Sequence, residues 1–234
     1  MRLPLELLEI FLLLNNESEE NYLVGGCVRD HRMGIEPKDF DIVTDVHMDR
    51  IEEIFSENGW KVDDTGKQFL VMNVSKKVKT PVSMEVSTGN ILDYVEKTVM
   101  YEIANFRKDG CYSDGRRPDQ VEIGTIKEDA ERRDFTVNAL YYNPIKDEYI
   151  APIKETEFDL RDGILRFIGN PKDRIQEDHL RVFRYYRFLV KEGLKSDPKS
   201  LKACRQYFNE AYKNSTPERV RNEIERMVKL WLFL

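Results

Sequence analysis

Two glycines, an arginine and two aspartates fall within seventeen residues: Gly25-Gly26-Cys27-Val28-Arg29, then Lys38-Asp39-Phe40-Asp41. The apolar run Tyr22-Leu23-Val24 ahead of the glycines reads as the end of a buried strand or a helix-to-strand joint. Glycine has no side chain to block close approach, so Gly25-Gly26 lets backbone N–H groups face a polyphosphate, with Arg29 as a planar cationic partner. A Gly-Gly pair alone also marks ordinary turns. Phe40-Asp41-Ile42-Val43 has the β-branched content of a strand, on which Asp39 and Asp41, two apart, share a face. Paired carboxylates repel unless a cation lies between them, and their hard oxygens suit Mg²⁺. The bland alternative is an exposed strand edge that carries two acids.

Two later blocks add to this. One is Glu131-Arg132-Arg133-Asp134-Phe135-Thr136-Val137-Asn138-Ala139-Leu140; the other is Glu177-Asp178-His179-Leu180-Arg181-Val182-Phe183-Arg184-Tyr185-Tyr186-Arg187-Phe188. On a helix, residues three apart share a face, so Asp178, Arg181, Arg184 and Arg187 form a polar stripe, with Val182, Tyr186 and Leu189 as the apolar stripe behind it. A carboxylate and a guanidinium side by side can imitate the hydrogen-bonding edge of a base, although an i,i+3 surface salt bridge has the same spacing.

Together these blocks resemble, in order, the motifs of the bacterial-type (class II) tRNA nucleotidyltransferase and poly(A) polymerase family, of the polymerase-β-like superfamily. The resemblance implies that Gly25, Gly26 and Arg29 hold a triphosphate, that Asp39 and Asp41 bind catalytic Mg²⁺, and that Arg133, Asp134 and Asn138 address the phosphates and ribose. It further implies that Asp178 and Arg181, in the row continued by Arg184 and Arg187, read cytosine or adenine by the Watson–Crick edge. The run Tyr101-Glu102-Ile103-Ala104-Asn105-Phe106-Arg107 resembles the strand whose glutamate precedes a Phe-Arg pair, which makes Glu102 the candidate third acid and Glu85 its rival. The segment from Lys108 to Pro118, with Gly110, Gly115 and Pro118, reads as a mobile loop, which in the family helps the site switch nucleotides. The substrates implied are CTP, ATP and the 3′ end of tRNA. A poly(A) polymerase and a non-catalytic RNA-binding relative are the other readings, the second opposed by the intact acids.

The 234 residues suffice for one large or two small domains. The net charge of −6 is unevenly spread: residues 161–234 hold 17 Lys+Arg against 10 Asp+Glu, leaving −13 for residues 1–160. Phosphate contacts are therefore expected from the last third of the chain, unless the lysines are simply a solvated helical face. Cys27, Cys111 and Cys204 lack metal or disulfide spacing, which points to the cytoplasm. Residues 3–14 are apolar but interrupted by Glu6 and Glu9, with no basic cluster ahead and no small-residue cleavage site after, and read as an amphipathic helix rather than a signal peptide. No apolar run approaches the ~20 residues of a membrane span.

Helices are expected over about 3–15, from near Val28, over His47–Glu57 with a stop at Gly59, over Asp129–Tyr141, and from Pro171 onward with interruptions at Gly193, Pro198 and Pro217. Strands are expected at Asp39–Val43, Phe69–Val74, Val82–Val86 and 101–107, the second and third joined by a lysine-rich turn. The expected fold is α+β: a catalytic head over 1–160, with a mixed β-sheet flanked by helices, and an all-helical neck over 161–234 that reads the base. Two departures from the family stand out. Leu70 replaces the glycine expected in the segment that starts at Gly66, and the chain ends at Leu234, where relatives continue into further helical domains. A fragment, a natural short form, or reliance on an oligomer or partner for RNA binding would each account for the second.

Overall fold

The computed structural model describes residues 1–84, 91–110 and 120–228. Glu85, most of the 108–118 loop, Cys111 and the end of the chain from Lys229 lie outside the described residues. In chain order the first half comprises α1 (Leu5–Asn15), β1 (Asn21–Val24), α2 (Gly26–Arg32), β2 (Asp41–Thr44), α3 (Met48–Glu57), β3 (Lys61–Asp63), β4 (Val71–Met84) and β5 (Ile91–Asn105). Next come β6 (Arg107–Asp109), β7 (Val121–Ile123), α4 (Ile126–Arg132), β8 (Tyr141–Asn143), β9 (Glu148–Ile150), α5 (Thr156–Asp162) and β10 (Ile164–Leu165). Last are α6 (Pro171–Glu177), α7 (Arg181–Lys191), β11 (Lys195–Ser196), α8 (Pro198–Asn214) and α9 (Pro217–Val228). The fold is α+β with a mixed sheet. Among the described residues no helix is long and apolar enough to cross a membrane.

Two compact units interleave along the chain: residues 1–23, 40–105 and 143–147 make the first, and 24–39, 106–142 and 148–234 the second.

In the first unit, strands run side by side in the order β3-β4-β5-β2-β1. β2 is parallel to β5, whereas β3–β4 and β4–β5 are antiparallel. Helix α1 buries Leu7, Ile10, Phe11 and Leu14, the i, i+3, i+4, i+7 face expected of an amphipathic helix. Helix α3 buries Met48, Ile51, Ile54 and Phe55, and Trp60 packs edge-on against Phe55 and Tyr101. A buried polar knot fixes the strand ends: Thr44 donates to Asn21 Oδ1 at 2.6 Å, and the Asn105 amide donates to the carbonyls of Thr44 at 3.0 Å and Val46 at 2.7 Å.

The lysine-rich turn expected between two short strands is instead the continuation of β4. Met72 and Val74 are buried, but from Lys76 onward the strand leaves the core and pairs with β5 alone, so lysines cost nothing there. The strand expected at 101–107 is the end of the 15-residue β5.

The second unit is built around Phe135, Phe167, Tyr185 and Phe188, with ring centroids 4.9–5.9 Å apart. Asn170, Asp197 and their following prolines start α6 and α8, and Pro217 starts α9, so the prolines mark helix beginnings. The helix expected over Asp129–Tyr141 is split. A capping box at Thr125 and Glu128 starts α4 early, and it stops at Arg132 because Arg133 turns extended. Asp134 then bonds its own neighbour's N–H (Phe135, 2.8 Å), offering the backbone an alternative to the helix. The continuous helix expected from Asp178 to Arg187 is split too. Asp178 lies between α6 and α7, where its carboxylate accepts from the Leu180 N–H at 3.1 Å.

The turn before β4 explains the missing glycine. Leu70 adopts φ 58°, the left-handed region that a glycine occupies freely, while a Cβ on Gly66 would lie 2.7 Å from the Val71 carbonyl oxygen. Leu70→Gly should therefore raise the urea unfolding midpoint, by ~0.5–1 kcal/mol in stability once the greater freedom of the unfolded chain is subtracted. Gly66→Ala should lower it.

Candidate active site

The acids of the first unit are aligned by strand register. Asp41 opens β2 and is the direct partner of Glu102 on β5, so both exposed carboxylates leave the sheet on one face, a strand spacing of ~5 Å apart along the hydrogen-bonding direction. Asn73 of β4 is in turn the register partner of Glu102, and continues the same polar row. Asp39 was expected to share a strand face with Asp41. It lies in a bend two residues past Pro37, ahead of β2, so strand alternation does not govern it, and the same-face acid of Asp41 is Glu102. Among the described residues no group of three or more His, Cys, Asp or Glu side chains stands close enough to hold a metal ion.

In the second unit, Gly25 has φ 78° and ψ −132°, a conformation essentially reserved for glycine, and turns the chain into α2. Gly26 is the first residue of that helix. Arg29, expected to face phosphates, is only 4% exposed. Its Nε and Nη2 donate to Asp30 at 2.9 and 2.6 Å, its Nη1 donates to Asn138 Oδ1 at 2.8 Å, and it stacks over Phe188. Glu192, buried at the end of α7, approaches it at 3.5 Å. The Asn138 amide donates onward to Asp134 Oδ1 at 3.2 Å, and the other oxygen of Asp134 is gripped by Nε and Nη2 of Arg184. One polar chain, Arg29–Asn138–Asp134–Arg184, thus joins three of the predicted motifs.

Arg133 is held from behind. Its Nε and Nη2 donate to Asp129 Oδ2 at 3.1 and 2.8 Å, Arg132 Nε donates to Oδ1 at 2.9 Å, and the Tyr141 hydroxyl donates at 2.6 Å. Asp129 is fully buried. Burial alone would raise its pKa, yet the facing guanidiniums of Arg133 and Arg132 and the Tyr141 hydroxyl hold it down to about 2. Asp134 follows the same logic: burial opposes its charge, and Arg184, with help from Arg181 and Asn138, brings it to about 2.

Asp178, Arg181 and Arg184 line an open cleft of about 320 Å³ together with Arg133, Asp134 and Arg219. Arg181 donates to Glu177 at 2.6 Å and to the carbonyls of Arg174 and Arg132. Arg187 does not join the row. It is buried against Glu223 of α9 and over the Phe188 ring, which makes it a strut between α7 and α9. Sequence reading missed Asp129, Asn73 and Arg219. Asp129 carries a local signal, since it sits three and four residues before the paired arginines on one helix turn. The other two become visible only through register and tertiary packing.

The mixed sheet with its flanking helices is the fold of a polymerase-β-like head. The poly A polymerase head domain family matches residues 21–166. Poly(A) polymerase I of Haemophilus influenzae is 33% identical over 228 residues, covering 92% of this chain and 44% of that protein. The CCA-adding enzyme of Limosilactobacillus fermentum is 34% identical over 211 residues, covering 89% and 46%. The Bacillus stearothermophilus CCA-adding enzyme in complex with CTP superposes with a TM-score of 0.77 at 27% identity, over 97% of this chain and 49% of that one. The chain therefore belongs to the poly A polymerase head domain family, and it spans less than half the length of these relatives.

Because Asp129 titrates lower folded than unfolded, the stability it contributes is complete above about pH 4 and lost as pH falls toward 2. Asp129→Asn should cost about 3–5 kcal/mol at neutral pH by leaving two arginines without their charge partner. It should also flatten the pH 4-to-2 limb of a urea-unfolding series.

Proposed function

We propose that the chain is the catalytic part of a template-independent RNA nucleotidyltransferase that adds CMP and AMP to the 3′ end of tRNA. The observation that carries this reading is the in-register pair Asp41 and Glu102 on neighbouring parallel strands. Two exposed carboxylates of this kind fit Mg²⁺, which typically takes one or two protein carboxylates and completes its shell with water and substrate phosphates. Asp39 and Asp41, two residues apart in sequence, would hold the ion, with Glu102 as the third acid. Bound there, Mg²⁺ would neutralise charge on the attacking 3′ oxygen and on the triphosphate.

The remaining roles fall to residues of the second unit. The backbone at Gly25 and Gly26 and the clamped Arg133 would face the triphosphate. Asp134 and Asn138, set in place by Arg184 and Arg29, would address the ribose. Asp178 and Arg181 would read the base, with Arg184 beside them in the cleft. Arg29, tied to Asp30 and Asn138, and Arg187, tied to Glu223, would support rather than touch. In this reading residues 1–160 act as head and 161–234 as neck, in the cytoplasm, where thiols such as Cys27 and Cys204 stay reduced. A further subunit or partner would help grip the RNA body.

A poly(A) polymerase is the second reading, favoured by the similarity to the Haemophilus influenzae protein. Incubation with tRNA lacking its 3′ CCA, Mg²⁺ and each labelled nucleotide separates the two. Limited addition of C and then A is the expected result, long A tracts indicate the alternative, and no incorporation refutes both. Asp41→Ala and Glu102→Gln should each lower incorporation by about 10²-fold or more in protein that circular dichroism shows to be folded. Chelation of Mg²⁺ should do the same.

A further inference from the structure

Asp178 is not alone at the cleft. Arg219, the third residue of α9, places Nη2 3.2 Å from both of its carboxylate oxygens. The pair is largely sheltered, with side chains 23% and 18% exposed. A carboxylate has about four acceptor positions. Here Oδ1 receives the Leu180 N–H and Arg219, while Oδ2 receives Arg219 alone, which leaves about one position on Oδ2 for a further donor. Without Arg219 the side chain would be tied by one backbone bond through Oδ1, and the direction of Oδ2 would be free. The neighbouring acid cannot take its place, because Asp134 is committed to Arg184, Asn138 and the Phe135 N–H.

We infer that Arg219 is a positioning residue for base selection: it aims the remaining acceptor of Asp178 at a base that presents an amino group. Cytosine and adenine carry such a donor (N4–H₂ and N6–H₂), whereas uracil and guanine present a carbonyl oxygen at that place, which an ionised carboxylate repels. A site built to accept from an amino group rejects the carbonyl analogue strongly, provided that the acceptor cannot swing away. The inference rests on Asp178 being the base reader proposed above. It adds that the selectivity resides in a pair drawn from two elements rather than in Asp178 and Arg181 alone.

Helix α9 does not need Arg219 to stay docked. Glu223 pairs with buried Arg187, and Val220 is buried, so substitutions at 219 should leave the fold in place. The test is equilibrium binding of CTP, ATP, UTP and GTP to the whole chain, read beside the incorporation assay and the thermal midpoint. The unmodified protein should prefer CTP over UTP. Arg219→Ala and Arg219→Gln should shrink that preference at least tenfold, through KM more than kcat, with inorganic triphosphate still bound as before. Arg219→Lys, whose ammonium is a compact point charge rather than a planar fork, should fall between. In an Asp178→Ala background, Arg219→Ala should change the CTP:UTP ratio no further. An unchanged ratio in folded Arg219 variants, or additive losses in the double variant, overturns the role of Arg219 while leaving Asp178 as reader. A ratio indifferent to Asp178→Ala itself overturns the base-reader assignment, and this inference with it. If the Ala and Gln variants unfold, a folded Arg219→Lys protein with the original ratio overturns it equally.

Discussion

The second unit depends on an amide held between opposite charges. Asn138 accepts from a buried guanidinium with its oxygen and donates to a buried carboxylate with its nitrogen, so it links Arg29, paired with Asp30, to Asp134, paired with Arg184. Because Arg184 closes the far end, the helix that follows the glycine turn, the short turn at 136–138 and α7 are bound by one line of charge-assisted hydrogen bonds. Apolar packing of Phe135 and Phe188 surrounds that line and keeps water from competing for it.

In the first unit the corresponding constraint is topological. A parallel neighbour fixes which residue of β5 stands opposite Asp41, and the buried ties of Asn105 to Thr44 and Val46 lock that register a few residues further along. The two acids that this register aligns, Asp41 at the start of β2 and Glu102 on β5, are both exposed.

Most of the fold class and the order of the motifs could be read from the sequence, because glycine turns, amphipathic faces such as that of α1 and proline-started helices are local properties. What could not be read was set by partners far along the chain. The three-residue spacing of Asp178, Arg181, Arg184 and Arg187 is real, yet Asp178 bonds the backbone between two helices, and Glu223 draws Arg187 inward. The lysines after Val74 suggested a turn, since nothing in their composition tells that β5 is long enough to pair with them. Arg29 was legible as important but not as buried, because its partner Asn138 lies 109 residues away.

The junction between α6 and α7 ties two properties to one atom group. The carboxylate that ties the backbone between α6 and α7 is also part of the cleft wall. Drift at this position cannot retune the chemistry of the wall while sparing the backbone, nor the reverse.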